Sequence, residues 1–415
     1  MSKLLIIVRK IRTGIIEQGF ISLLNFGMVI LLSRMLAPGE FAEYVILFAG
    51  ISLAFSISLG LWSNPVLVFL PTKYSESKVS YLLIISTGNF ISNILICLII
   101  FGTIDLFVRD ITFFIIILST VVAWVWSQYE ILRKAYYSIN QIKLLAIGST
   151  ILTLVFIVGN TLIYFVGNLD TFRALFVLFL GYFISLIFIL STSKWRKQEK
   201  RKTNKIDVLK NHWEFSKWPV GGMIGYWIAS QGYFIFAAFF LNDLQLGGLR
   251  AAMNLLGILS VLYTLFENSI TPIASQLFNN NGKIELNSYI ANIYKKMFMP
   301  LLGVILVTGV LSFYLFEFIY GDKYFESRNL VIIFALYQFA LGMNRPVVIA
   351  LRAQLKTKSF FWGHISAASI SITIGLFLVK AYESFGGALG ILLSGLVFTL
   401  IITYSYYDTT IKQQS

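Results

Sequence analysis

The sequence is poor in the residues that carry most enzymatic chemistry. There is one cysteine, Cys97, and it lies inside the apolar run Ile96-Cys97-Leu98. A single cysteine excludes an intramolecular disulfide and any cysteine-based metal site. The two histidines, His212 and His364, are too few for a histidine-ligated zinc centre. Charge is scarce as well: 13% of the residues are charged and 57% are hydrophobic. A soluble protein of 415 residues could not cover its surface at about half the usual charge content. HExxH, CxxC and GxxxxGK[ST] are all absent; the nearest phosphate-loop match, Asn281-Gly282-Lys283-Ile284, lacks the glycine spacing and the hydroxyl. The chain therefore reads as an integral membrane protein that is not an enzyme. It offers no catalytic residues, no metal site and no cofactor, and it does not hydrolyse nucleotide itself.

What it has instead is long apolar runs. Hydropathy places spans at 14–36, 41–62, 80–103, 109–128, 143–167, 171–193, 213–241, 244–272, 293–320, 328–350, 357–379 and 385–407. Each can cross roughly 30 Å of hydrocarbon as a helix of about 20 residues. Uninterrupted runs such as Leu95 to Phe101 exclude the alternation of a membrane barrel. The first stretch, behind a basic head, has no small-residue cleavage site and reads as a retained helix rather than a signal peptide. Trp62, Trp124, Trp126, Trp213, Trp218 and Trp362 fall near predicted helix ends, as interfacial belts require.

The net charge of +14 would suggest a nucleic-acid partner if the charges were clustered on one surface. They are not. With the N-terminus in the cytoplasm and twelve crossings, 26 of the 33 Lys and Arg residues fall on the cytoplasmic side. That bias fixes topology, with both termini inside, and removes nucleic acid as a partner. The densest run, Lys194 to Lys202, follows the sixth span. It divides the chain into an N-terminal lobe (1–193), a basic cytoplasmic linker (194–212) and a C-terminal lobe (213–415).

The halves echo one another. Gln18-Gly19-Phe20 matches Gln231-Gly232-Tyr233, and Leu132-Arg133 matches Leu351-Arg352 at similar offsets. Two six-helix lobes of like orientation are expected to be related by an axis along the membrane normal and to surround a central cavity. Gly221 and Gly225 form a GxxxG pair, and Gly386-Gly387-Ala388-Leu389-Gly390 follows no strand; both suit close helix packing.

Polar residues inside spans are costly in hydrocarbon and mark cavities or partners. The first helix carries Glu17, Gln18 and Asn25; the seventh Gln231; the eighth Arg250, Asn254, Glu267 and Asn268; the tenth Gln338, Asn344 and Arg345. Arg250 through Asn268 would form one polar stripe along a continuous eighth helix. Glu17 has Arg9 and Arg12 as nearby ion-pair candidates, whereas Glu267 has no basic partner one turn away. His364 suits an interhelical hydrogen bond. Pro272, Pro300 and Pro346 are expected to interrupt or bound helices.

The segment Leu31-Leu32-Ser33-Arg34-Met35-Leu36-Ala37-Pro38-Gly39-Glu40-Phe41-Ala42-Glu43-Tyr44 resembles the stretch joining the first two helices of polysaccharide-biosynthesis exporters. Arg133-Lys134-Ala135-Tyr136-Tyr137 and Leu246-Gly247-Gly248-Leu249-Arg250-Ala251-Ala252 are similar to further segments of that family. Ala42 stands where the family usually has glycine. The resemblance is to the O-antigen and lipid-linked oligosaccharide flippases of the multidrug/oligosaccharidyl-lipid/polysaccharide exporter superfamily.

It implies two lobes opening alternately to each face of the bacterial inner membrane. It also implies a cationic cavity for an undecaprenyl-diphosphate-linked oligosaccharide. Arg250 and Arg345 are the candidates for the diphosphate, with Gln18, Asn25, Gln231 and Asn254 for the headgroup. Glu17 and Glu267 are the candidates for gating or coupling to Na+ or H+. Membrane lipids and other polysaccharide-assembly proteins are the further partners implied. Two competing readings are a drug/cation antiporter of the same superfamily and a membrane polysaccharide polymerase, which the short outer loops disfavour.

Overall fold

The computed structural model describes residues 2–71, 73–108, 110–138, 141–167, 169–192, 203–354 and 356–411. Among them there are helices and turns and no strand, as the uninterrupted apolar runs require. Residues 194–202 of the expected basic linker lie outside the described residues.

The helices are α1 (Ser2–Met35), α2 (Pro38–Ser58), α3 (Lys78–Phe107), α4 (Phe113–Ser138), α5 (Ile142–Phe165) and α6 (Thr171–Thr192). After them come α7 (Lys205–Ala229), α8 (Tyr233–Ala237), α9 (Asp243–Gly257), α10 (Leu259–Tyr320), α11 (Leu330–Ala353), α12 (Thr357–Ile370) and α13 (Leu376–Ile411). Nine helical stretches among the described residues are long and apolar enough to cross a membrane. With large apolar side chains such as Ile99, Phe165 and Phe377 turned outward at 71%, 80% and 70% exposure, the chain is a multi-pass membrane protein.

Twelve spans were expected, and the difference has local causes. Gly282 adopts φ 79°, which ends one rod and starts another inside α10. In α13, Tyr382 and Glu383 leave helical geometry, so the stretch 358–407 contains both expected terminal spans. The expected seventh span breaks after Ala229, where Gly232 packs its backbone under the Trp227 ring and donates to the Trp227 carbonyl at 2.8 Å. The eighth is interrupted at Gly257–Ile258, so its polar stripe rides on two segments, α9 and α10. Pro300 and Pro346 lie within α10 and α11, and none of these breaks falls at them.

The chain forms two compact units, Met1–Val220 and Gly221–Ser415. In the first, α1 packs on α5, α5 on α6, and α4 on α2, α3 and α6. The start of α6 is closed by two carboxylates. Glu40, at the start of α2, accepts from the Thr171 N–H at 2.7 Å and so satisfies a free donor at the start of α6. Asp170 caps the same helix through the Arg173 N–H at 2.7 Å.

The end of α2 is irregular. A π-helical turn (Leu59–Ser63) leads into Asn64–Phe69, and Pro65 has no N–H to offer the Leu61 carbonyl one turn back. His212 of α7 fills that need: its Nδ1 lies 2.9 Å from the Leu61 oxygen. Its Nε2 lies 2.8 Å from the Tyr81 hydroxyl, and Trp62 and Phe69 flank the ring. Burial pushes the His212 pKa down to about 4. The neutral ring therefore donates from Nδ1 and accepts Tyr81 at Nε2. Lys205 to His212, expected as linker, are the first turns of α7 and belong to the first unit.

In the second unit α11 packs on α10, α9 and α13, and α13 on α12. Gly221 and Gly225 bring α7 against α12 as GxxxG spacing implies: a Cβ at Gly225 would sit 2.9 Å from the backbone carbonyl carbon of His364. His364 stacks on Phe398 at 4.4 Å between ring centres. At Gly390 a Cβ would meet the Gly375 Cα at 2.8 Å, so the glycine-rich segment also serves close packing. The start of α9 carries a capping box between Asn242 and Gln245, and Gln245 also bonds Glu383, which has φ 52°.

Candidate functional site

Two clusters of charged side chains lie within the helical bundles, one in each unit. The first is built on α1 and α4. Arg133 meets Glu17 at two points, Nε to Oε1 at 2.7 Å and Nη2 to Oε2 at 3.0 Å, in the planar fork that a guanidinium favours. Its Nη2 also donates to Gln18 at 2.8 Å, and its Nη1 to Glu130 at 3.2 Å. Tyr137 donates to Glu17 Oε2 at 2.6 Å, and Lys134 pairs with Glu130 at 3.3 Å. Two carboxylates face two cations, so the cluster is electrically balanced. Glu17 and Glu130 are buried, and Arg133 is 13% exposed. This arrangement locks α1 to α4.

The second cluster joins α10 to α11. Glu267 is buried and receives two guanidinium groups: Arg345 on Oε1, and Arg352 on Oε2 at 2.6 Å. Arg345 also donates to the Leu341 carbonyl at 3.1 Å and lies 5.2 Å from the Tyr263 ring centre. Two cations share one carboxylate, which leaves a surplus positive charge. The side chains of Arg345 and Arg352 are 23% and 49% exposed, so donor capacity remains open to an incoming anion.

The remaining candidates fall elsewhere. Arg250 donates to Gln231, and its guanidinium lies 5.1 Å from the Phe234 ring centre. Asn254, one turn on, bonds the Tyr320 hydroxyl at 3.3 Å. Thus Arg250, Gln231 and Asn254 form one group in the second unit, while Arg345 has different partners. Gln18 belongs to the Glu17 cluster. Asn25 lies on an exposed part of α1. Gln338 is buried, and its carbonyl accepts from Tyr263 at 2.8 Å; Asn344 donates to Thr399 at 3.1 Å. The side chains of Asn268, Arg9 and Arg12 lie outside the described residues.

Sequence reasoning missed Arg133, Glu130, Tyr137 and Arg352 as site residues. A signal existed in the paired Leu132-Arg133 and Leu351-Arg352: both arginines clamp a buried glutamate from another helix. A polar notch of about 540 Å³ lined by Lys73, Asp207, Lys210 and Glu214 contains none of the candidate residues.

No protein-family model and no curated protein matches the sequence. Among solved structures, the chain is similar to an inward-facing multidrug resistance MATE family transporter of the MOP superfamily, with a TM-score of 0.72 and 14% identity. That match covers 95% of this chain and 96% of the other. It is also similar to the lipid II flippase MurJ in an inward closed conformation, at TM-score 0.69 and 17% identity over 95% of this chain and 87% of that one. The eukaryotic MATE transporter AtDTX14 matches at TM-score 0.63 and 14% identity, covering 96% and 95%. At these identities the likeness is one of fold.

Proposed function

We propose that the protein is a flippase that carries an undecaprenyl-diphosphate-linked oligosaccharide from the cytoplasmic to the outer face of a bacterial inner membrane by alternating access. The observation that carries this reading is the charge surplus at Glu267, Arg345 and Arg352. A diphosphate headgroup cannot enter hydrocarbon unpaired, and two forked guanidinium groups are its natural partners. Each charge-assisted hydrogen bond to it contributes on the order of 1.5–3 kcal/mol. Arg250 with Gln231, and Asn254 beside Tyr320, supply further donors of the kind that sugar hydroxyls and phosphate oxygens take. The fold shared with a lipid II flippase supports a lipid-linked substrate.

The test is deletion of the gene in its host followed by lipid analysis. Undecaprenyl-linked repeat units should accumulate on the cytoplasmic face, and the wild-type gene should clear them while Arg345→Ala does not. Normal surface glycan with no such pool would overturn the reading. The fold shared with MATE transporters favours a second reading, a drug/cation antiporter. Under that reading the deletion strain loses drug efflux and keeps its glycan.

A further inference from the structure

We infer that the first unit holds a phospholipid of the ethanolamine class, whose headgroup carries both a phosphate and a primary ammonium, in the polar notch between the turn before α3 and the first turns of α7. All the residues lining that notch belong to the first unit, and none belongs to either charged cluster. Its volume of about 540 Å³ is that of a small-molecule pocket.

α7 presents two stripes of different character over its first turns. Val208, His212 and Ser216, one turn apart, are buried in the first unit. Ile206, Leu209 and Trp213 share another side of the helix and are exposed, with Lys210 and Lys217 beside them. An apolar stripe with a tryptophan and an edge of lysines is the surface of a helix resting where acyl chains meet headgroups. The depth agrees. Ser77, in the notch, immediately precedes α3, a candidate span of 30 residues whose first exposed large apolar side chain is Leu83. At 1.5 Å per residue that helix outruns roughly 30 Å of hydrocarbon, so its first turn lies among headgroups. Lys210 borders the stripe and also lines the notch. One lipid can therefore lay its chains on the stripe and its headgroup in the notch.

The lining decides which headgroup. Lys73 Nζ donates to Asn211 Oδ1 at 2.9 Å, which fixes that amide, and Asn211 Nδ2 then donates to the Tyr74 hydroxyl at 2.8 Å. Tyr74 is buried and accepts there, so its own hydrogen remains to be given to a ligand. Two ammonium groups, Lys73 and Lys210, and two carboxylates, Asp207 and Glu214, line the same notch. No ion pair among the described residues links these four to one another. A ligand of one sign would meet half of them as like charges. A headgroup with both signs meets each with its opposite: phosphate oxygens accept from Lys73, Lys210 and Tyr74, and a primary ammonium donates to a carboxylate. Asp207 and Glu214 stand about one turn to either side of Asn211, so the ammonium finds a carboxylate whichever way the headgroup lies. A choline headgroup has the positive charge but no N–H to donate, and a glycerol headgroup has no cation.

The experiment is thermal unfolding of the purified full chain in detergent micelles with added phosphatidylethanolamine, phosphatidylcholine or phosphatidylglycerol of identical acyl chains. The midpoint is expected to rise with the logarithm of ethanolamine-lipid concentration. Loss of one charge-assisted hydrogen bond should make the choline lipid need about a tenfold higher concentration for the same rise. Asp207→Asn/Glu214→Gln should erase that difference, and Lys210→Gln should weaken both lipids alike; these side chains are exposed, so the fold does not rest on them. Arg345→Ala, in the other unit, should leave the preference intact. Equal midpoints in the ethanolamine and choline lipids, or a preference that survives Asp207→Asn/Glu214→Gln, would overturn the inference. A larger rise in the glycerol lipid than in the ethanolamine lipid would overturn it too, because the notch would then be reading negative charge alone. None of these results depends on what the protein transports.

Discussion

Arg133 and Glu17 stand 116 residues apart in sequence and form a two-point ion pair, with a third and a fourth partner in Gln18 and Glu130. The pair is worth most when complete. Removing one member of a buried ion pair costs roughly 3–5 kcal/mol, because the other is left uncompensated. Arg133→Ala should therefore lower the unfolding midpoint in detergent sharply. The double variant Arg133→Ala/Glu17→Ala should lose less than the sum of the singles. Strict additivity of the two losses would show that the residues do not act as a pair.

Glu267 occupies the same two guanidinium groups that the proposed function assigns to a diphosphate. Glu267→Gln should then bind inorganic pyrophosphate about tenfold more tightly than the wild type, and Arg352→Ala more weakly, by calorimetry in detergent. An unchanged affinity in Glu267→Gln would mean that the anion and the carboxylate do not compete.

His212 should make stability depend on pH in a definite direction. Its folded-state pKa, about 4, lies below the unfolded value of about 6.5, so the unfolded chain binds more protons between the two. The stability from the neutral ring is complete above about pH 6.5 and is lost as pH falls toward about 4, by up to roughly 3 kcal/mol. The difference in midpoint between wild type and His212→Gln isolates this slope from titrating carboxylates. A difference that does not change from pH 7.5 to pH 4.5 would contradict the assignment.

The two glycines of the α7–α12 contact should respond unequally. A Cβ at Gly225 meets the His364 backbone at 2.9 and 3.0 Å, whereas one at Gly221 meets the ring edge of Phe361 at 2.7 Å. A ring can rotate and a helix backbone cannot. Gly225→Ala is expected to cost on the order of 1–3 kcal/mol and Gly221→Ala less, by thermal unfolding. Equal losses would argue against backbone contact as the cause.

Much of the fold was legible because hydrocarbon imposes length and polarity on each span. The close packing at Gly225 was legible from spacing alone. The breaks were less so: Gly282 and Glu383 carry positive φ, while Pro300 and Pro346 sit inside helical runs. The candidate glutamates could be picked out as costly residues in apolar runs. Their partners could not, because Arg133 and Arg352 look like ordinary cytoplasmic charges at helix ends, and contact across helices leaves no mark in local spacing.

The proline at position 65 has a consequence for how the molecule can be cut. Because the Leu61 oxygen looks to His212 for its hydrogen, the first six helices do not contain everything needed to finish their own bundle. A gene split inside the basic stretch would hand His212 to the wrong fragment. A split at Val220–Gly221 leaves it with the half that needs it, and the two pieces made that way are the ones to co-express.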